Sequence, residues 1–223
     1  MAGSRHRGKV LLNMNNRTMQ VQPRISCSSD RSHLILCNDE TYGLQIADRL
    51  VERGAKNLCV HFKRQSMYLQ HKIRSWQKSG VKVFVFSDDL NEEMDITALV
   101  NSAARLGPLE GVYVTVGDKQ SESYEGLVTS LDLVTRKLCP DIKYFAVLNI
   151  DSSSVGKNTC LNRAQNKLPA TLLSLPELSN EAVSYRSAVE ATEHALRNGH
   201  AVQRASLLPV RQTSMLQKIA SIA

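Results

Sequence analysis

Tyr68 and Lys72 stand four residues apart in MYLQHKIRSWQKSG. At that spacing a lysine one helical turn away can lower the pKa of a phenol and help it pass a proton. The pattern puts the pair on a helix after a second strand, far from the strand ends where a substrate would lie, so it reads as a decoy. Asp39, Glu40 and Thr41 in CNDETYG precede an apolar-periodic run. Acids and hydroxyls there cap a helix N-terminus electrostatically. The six histidines show no metal-ligand spacing, and no Ser/His/Asp order gains support from its context. His61 ends a strand-like run and reads as a partly buried structural histidine. The five cysteines, Cys27, Cys37, Cys59, Cys139 and Cys160, include no CxxC pair. They read as reduced packing residues, with Cys37 and Cys59 suited to small core positions. No metal site is expected.

The elements that would position these residues begin at Ser32. HLILC is a first strand, followed by a helix over 44–53 with Leu44, Ala47, Leu50 and Val51 on one face and Gly54 as its C-terminal cap. NLCVHF is a second strand; Leu69, Ile73 and Trp76 share the face of the helix after it, which Gly80 ends. VKVFVF is a third strand, followed by a helix through Ile96, Leu99, Val100, Ala103 and Leu106 that stops at Gly107-Pro108. GVYVTV is a fourth, followed by a helix with Leu127, Leu131, Val134 and Leu138 on one stripe, broken by Pro140. KYFAVLNI is a fifth. Apolar strands buried on both sides and alternating with helices predict an α/β fold: a doubly wound, mostly parallel sheet with helices on both faces. Beyond Ile150 the rhythm weakens. DSSSVGKNT reads as loop, and LPATLLSLPELS as an irregular apolar connection. NEAVSYRSAVEATEHALRNG reads as a helix, AVQRASLLPV as a last strand and SMLQKIASIA as a short amphipathic helix.

Composition bounds the partners. The chain has 223 residues and a net charge of +7. Residues 1–37 carry six Lys/Arg and one acid, a surplus of +5; the other 22 basic and 20 acidic residues leave +2. The excess therefore sits on a leader, residues 1–31, in which only KVLLNM reads as a strand. No basic patch interleaved with aromatics is present, so a nucleic-acid partner is not expected. No apolar run is long enough to span a membrane and no signal-peptide pattern opens the chain, which predicts a cytoplasmic location.

Four segments in fixed order, LQIADRLVERGAKNL, RSWQKSGVKV, AARLGPLEGVY and LDLVTRKLCPDIKYFAV, resemble the ketoreductase (β-ketoacyl reductase) domain of animal, especially insect-like, fatty acid synthase. The resemblance covers residues 32–150 well. Upstream, GKVLL is similar to the end of the preceding enoyl reductase region. Downstream, LRNGHAVQRASLLPV is similar to the domain's closing strand, and SMLQKIASIA to the first helix of an acyl carrier protein. The resemblance implies a Rossmann-like fold of the short-chain dehydrogenase/reductase type over residues 32–210, shortened on the substrate side, with a carrier-protein-like helix beginning at 211. Its implied partners are other fatty acid synthase domains or an acyl carrier protein.

The same resemblance implies an NADPH site whose residues here are incomplete. The family's glycine-rich turn falls on CNDETYG, where Gly43 alone remains and Asp39 and Glu40 stand where a pyrophosphate would lie. Two unit charges about 4 Å apart repel by roughly 4 kcal/mol at an effective dielectric near 20. Lys63 and Arg64 match the family's basic position for a 2′-phosphate within one residue, a solvated surface role remaining open. Asp89 matches the position that contacts adenine. The cofactor residues implied are therefore Gly43, Lys63, Arg64 and Asp89, with NADPH binding weak or lost. The alignment puts Ile150 at the family's Ser and Arg163 at its Tyr, with Lys167 four residues on; the family's Lys falls near Ser123 or Tyr124. Ser152, Ser153 or Ser154 would serve for the Ser after a small register shift. A guanidinium does not give up its proton near neutral pH, so no catalytic residue is expected. The resemblance thus points to a degenerate module acting as scaffold or remnant. An active NADPH-dependent reductase segment, and a binding module using the basic leader, are the alternatives.

Overall fold

A computed structural model of the chain describes residues 24–62, 66–90, 92–117, 121–150, 154–175, 182–198 and 202–204. Strands β1 (Ser32–Cys37), β2 (Asn57–His61), β3 (Lys82–Phe86), β4 (Leu109–Val116), β5 (Tyr144–Ile150), β6 (Thr171–Leu175) and β7 (Val202–Arg204) alternate with helices. The helices are α1 (Glu40–Glu52), α2 (Met67–Lys78), α3 (Glu93–Leu106), α4 (Ser121–Leu138), α5 (Lys157–Gln165) and α6 (Ala182–Asn198). All seven strands pair in parallel, in the order β3-β2-β1-β4-β5-β6-β7. The order reverses between β1 and β4, as expected of a doubly wound α/β sheet.

Strand alternation divides the core into two layers. Leu34, Leu36, Val112, Val114, Phe145 and Val147 pack with α3, α4 and Cys160 of α5. Ile35, Leu58, Val60, Tyr113, Ala146 and Leu148 pack with α1, α2 and α6. Central strands therefore read as continuous apolar runs, because both faces are covered. β3 does not: as the outermost strand it leaves Lys82 and Phe84 exposed.

Several sequence expectations change here. α1 begins at Glu40, one turn before Leu44, because the Asp39 side chain accepts the Tyr42 N–H at 2.7 Å and starts the helix early. Gly54 follows it with φ +105°, a conformation in which glycine carries no Cβ penalty. On α4 the buried stripe runs through Tyr124, Val128, Leu131 and Val134, while Leu138 is exposed near the helix end. The segment LPATLLSLPELS contains β6, and its Leu172, Leu173 and Leu175 are buried. α5 lies where the sequence suggested only loop. It has the weakest amphipathic pattern of the helices whose burial is fully described, burying only Thr159, Cys160 and Arg163. Residues 24–31, read as the end of a linker, pack against the domain: Ile25 and Cys27 join the core and the Cys27 N–H donates to the Arg53 carbonyl. The expected strand KVLLNM and helix SMLQKIASIA lie outside the described residues.

Candidate functional site

In a parallel sheet of this kind, ligands meet the carboxyl ends of the strands, where helix N-termini converge. β1 ends at Cys37, and the turn Asn38–Asp39 leads into α1. Gly43 lets that helix approach the strand: a Cβ there would lie 2.2 Å from Cys37 Sγ and 2.8 Å from Cys37 Cβ. Its service is therefore helix–strand packing, and it is buried among protein atoms. The α1 N-terminus is occupied by the chain itself. Asp39 takes the Tyr42 N–H, the Asp39 carbonyl accepts from Thr115 Oγ1, and Glu40 accepts from the Ser66 hydroxyl that also caps α2. Tyr42 is fully buried, its hydroxyl bonded to Thr192 of α6. Burial first, and then the nearby Asp39, push its pKa up, although the bond to Thr192 pulls the other way.

The neighbouring helix start is closed in the same manner. The Gly156 N–H, at the head of α5, donates to Glu125 of α4 at 2.7 Å. Gly156 has φ +74°, and a Cβ there would press on Val147 at 3.0 Å. Tyr124, beside Glu125, is buried, and burial followed by the proximity of Cys37 raises its phenol. It is a tyrosine that α4 brings to the end of β1. In the sequence it stood out only as a place where a family lysine falls.

Of the cofactor residues implied by the sequence, Asp89 is exposed three positions past the end of β3. Lys63 and Arg64 lie outside the described residues. Between β1 and β3, His61 is buried with Nε2 3.0 Å from the Asp88 carbonyl, as a structural histidine. Ile150 ends β5 and is buried, on the same edge. Ser154 is exposed, its carbonyl accepting the Lys157 N–H; Ser152 and Ser153 lie outside the described residues.

Arg163 requires correction. It stands at the end of α5, and its Nε donates to the Pro169 carbonyl ahead of β6 at 2.8 Å. That is the amino edge of the sheet, opposite the site, so it does not occupy the place of a catalytic phenol. Its guanidinium is 1% exposed, pairs with Asp132 at 2.6 Å and lies 4.1 Å from the Phe145 ring centre. Burial lowers its pKa and the Asp132 contact offsets this. Lys167, four residues on, is exposed at φ 58° on the same edge, lining a cavity of about 250 Å³ with Lys143, Phe145 and Pro169. The Tyr68–Lys72 pair lies on α2 as expected: Lys72 pairs with Asp48 at 2.5 Å, and Tyr68 is half exposed.

Residues 32–130 match the KR domain family model. That match takes in the first four strands and the start of α4. Solved structures agree on the fold of this chain. It superposes with TM-score 0.62 and 12% identity on a ketoreductase domain from the bacillaene assembly line, covering 78% of this chain and 55% of that one. An A-type ketoreductase from a modular polyketide synthase gives 0.65 and 15%, covering 90% and 56%. A short-chain dehydrogenase from Rhodopseudomonas palustris gives 0.58 and 12%, covering 81% and 99%. The chain thus spans about half the length of the first two ketoreductase structures. Another similar fold, NADH-dependent reductase A1-R′ at 11% identity, has been solved in complex with NAD. Proteins of the matched KR family and of the short-chain dehydrogenase/reductase type generally bind NAD(P)H. In the turn after β1 the Asp39 carboxylate takes the Tyr42 N–H at the head of α1. Among the described residues no helix is long and apolar enough to cross a membrane, and no cluster of metal-ligating side chains forms.

Proposed function

We propose that this chain is a degenerate ketoreductase-like module of fatty acid synthase type that no longer reduces ketones and acts as a scaffold or remnant. The observation that supports this reading is the Asp39 carboxylate on the Tyr42 N–H at the head of α1. Any dinucleotide phosphate placed there meets a fixed negative charge and finds that donor taken. Glu125 on the Gly156 N–H supports it from the substrate side. The residual basic pair Lys63 and Arg64 and the exposed Asp89 would leave at most a weak adenine-nucleotide site. Its partners would be the other domains of a fatty acid synthase or an acyl carrier protein, in the cytoplasm.

Calorimetry with NADPH and NADH tests the reading. Neither is expected to give saturable heat with the native chain, and Asp39→Gly combined with Glu40→Gly is expected to gain measurable affinity. Gly at the Asp39 cap costs only a few tenths of a kcal/mol and Gly at Glu40, in the first turn of α1, about 1 kcal/mol, so the fold tolerates the change. Reduction of an acetoacetyl thioester by the native chain with NADPH, above background, would overturn the proposal. The second reading, an NADPH-dependent reductase segment, draws on the KR match and predicts that Lys63→Ala and Asp89→Ala weaken cofactor binding.

A further inference from the structure

The outer edge of the sheet is a surface that the site does not use. β3 is the terminal strand and pairs only with β2 among the described residues. The Lys82 N–H donates to the Lys56 carbonyl, and the Phe86 carbonyl accepts the Phe62 N–H. In a parallel ladder the two backbone groups of one residue face the same neighbour. Lys82, Phe84 and Phe86 therefore turn their backbones toward β2, and Val83 and Val85 turn theirs to the open edge. The Phe84 side chain remains 42% exposed there.

Charge along this edge is polarised. From Arg53 to Ser87 the sequence holds eight Lys/Arg and no Asp or Glu; acids resume at Asp88 and Asp89. β3 thus has Lys78 and Lys82 at its start and two carboxylates just past its end. None of these four takes part in an ion pair among the described residues.

We propose that β3 pairs antiparallel with β3 of a second copy of this chain. A two-fold axis through Phe84 sets Val83 opposite Val85 of the partner subunit, so the outward groups of both exchange hydrogen bonds. The two Phe84 residues then form the non-hydrogen-bonded pair, where side chains come closest. Lys82 becomes the diagonal, same-face neighbour of Asp88 of the partner subunit, and symmetry makes each such contact twice. One short strand pair is a small interface, so the dimer is weak and concentration-dependent. The interface does not depend on whether the nucleotide edge is silent.

Sedimentation velocity over a concentration series at low salt tests it. The native chain is expected to show a monomer–dimer equilibrium that salt shifts toward monomer. Val85→Pro removes an outward N–H without touching the β2 ladder and is expected to weaken association about tenfold or more, as is Lys82→Glu. Lys82→Glu combined with Asp88→Lys is expected to restore it, far-UV spectra being unchanged throughout. If Val85→Pro fails to fold, the charge reversal and its rescue decide. A chain that stays monomeric at every concentration, whatever else covers the edge, or a dimer indifferent to the charge reversal, overturns the proposal.

Discussion

At the scale of single residues, close packing and buried charge set the largest expected effects. A methyl at position 43 has no room beside Cys37, so Gly43→Ala is expected to destabilise the fold by about 1–3 kcal/mol, within the usual range for overpacking. Combining it with Cys37→Ala should recover part of the loss in a thermal melt, because the nearer clash is with Sγ. Arg163→Ala leaves Asp132 with a buried charge that Arg136 alone must meet. A loss of about 3–5 kcal/mol is expected on denaturant unfolding, as for a broken buried pair. The cysteines belong here too. Burial pushes the Cys27, Cys59 and Cys160 thiols up to about 12, in Cys27 with help from Glu110 and Glu193. Disulfide reagents at neutral pH are therefore expected to react fast only after unfolding, apart from the half-exposed Cys139.

At the scale of elements, a buried polar cluster ties residues 24–31 to β1, β4 and the residue that leads into β5. Glu110 of β4 accepts from Ser28 through its N–H and hydroxyl, from Lys143 at 2.6 Å, and faces His33 of β1 at 3.4 Å. Burial alone would raise this carboxyl, but the hydrogen bonds from His33, Lys143 and Ser28 outweigh it and hold it well below the usual carboxylate range. A carboxyl depressed on folding stabilises fully above its unfolded pKa, about 4.3, and that stability is lost as pH falls below it toward the folded value. Unfolding free energy should therefore drop below about pH 4.3 with a slope that Glu110→Gln reduces. The same contacts mean that the folded unit does not start at β1. A chain beginning at Ser32 should melt roughly 5–10 °C below one beginning at Arg24, since Ile25 and Cys27 leave the core.

At the scale of the whole molecule, the doubly wound sheet lines up the strand ends as if for a dinucleotide, while the turns across that edge are capped from within. Asp39 closes α1 and Glu125 closes α5, from different elements, so one substitution should not reopen the site. A chain with Asp39 and Glu40 replaced is expected to regain nucleotide affinity in calorimetry without regaining thioester reduction. Arg163 and Lys167 lie at the other edge of the sheet.

How much of this was legible in the sequence follows from the range of each interaction. Apolar runs of strand length and helical periodicity are local, so the first five strands, the four helices between them, the last long helix and the parallel class could be read directly. Asp39 as a cap is equally local, since donor and acceptor lie three residues apart. β6 and α5 were not legible, because two prolines obscure the one and a weak apolar pattern the other; their packing on β5 and α4 defines them. Nor does spacing indicate that Glu125 caps a helix 31 residues away, that Arg163 joins Asp132 on the far edge, or that Glu110 gathers Ser28, His33 and Lys143. Those pairs exist only once the crossovers have brought distant segments to one end of the sheet. The sequence determined the elements and the chemistry each carries; the tertiary structure decided which charges meet, because burial and proximity across the sheet are properties of the packed layers alone.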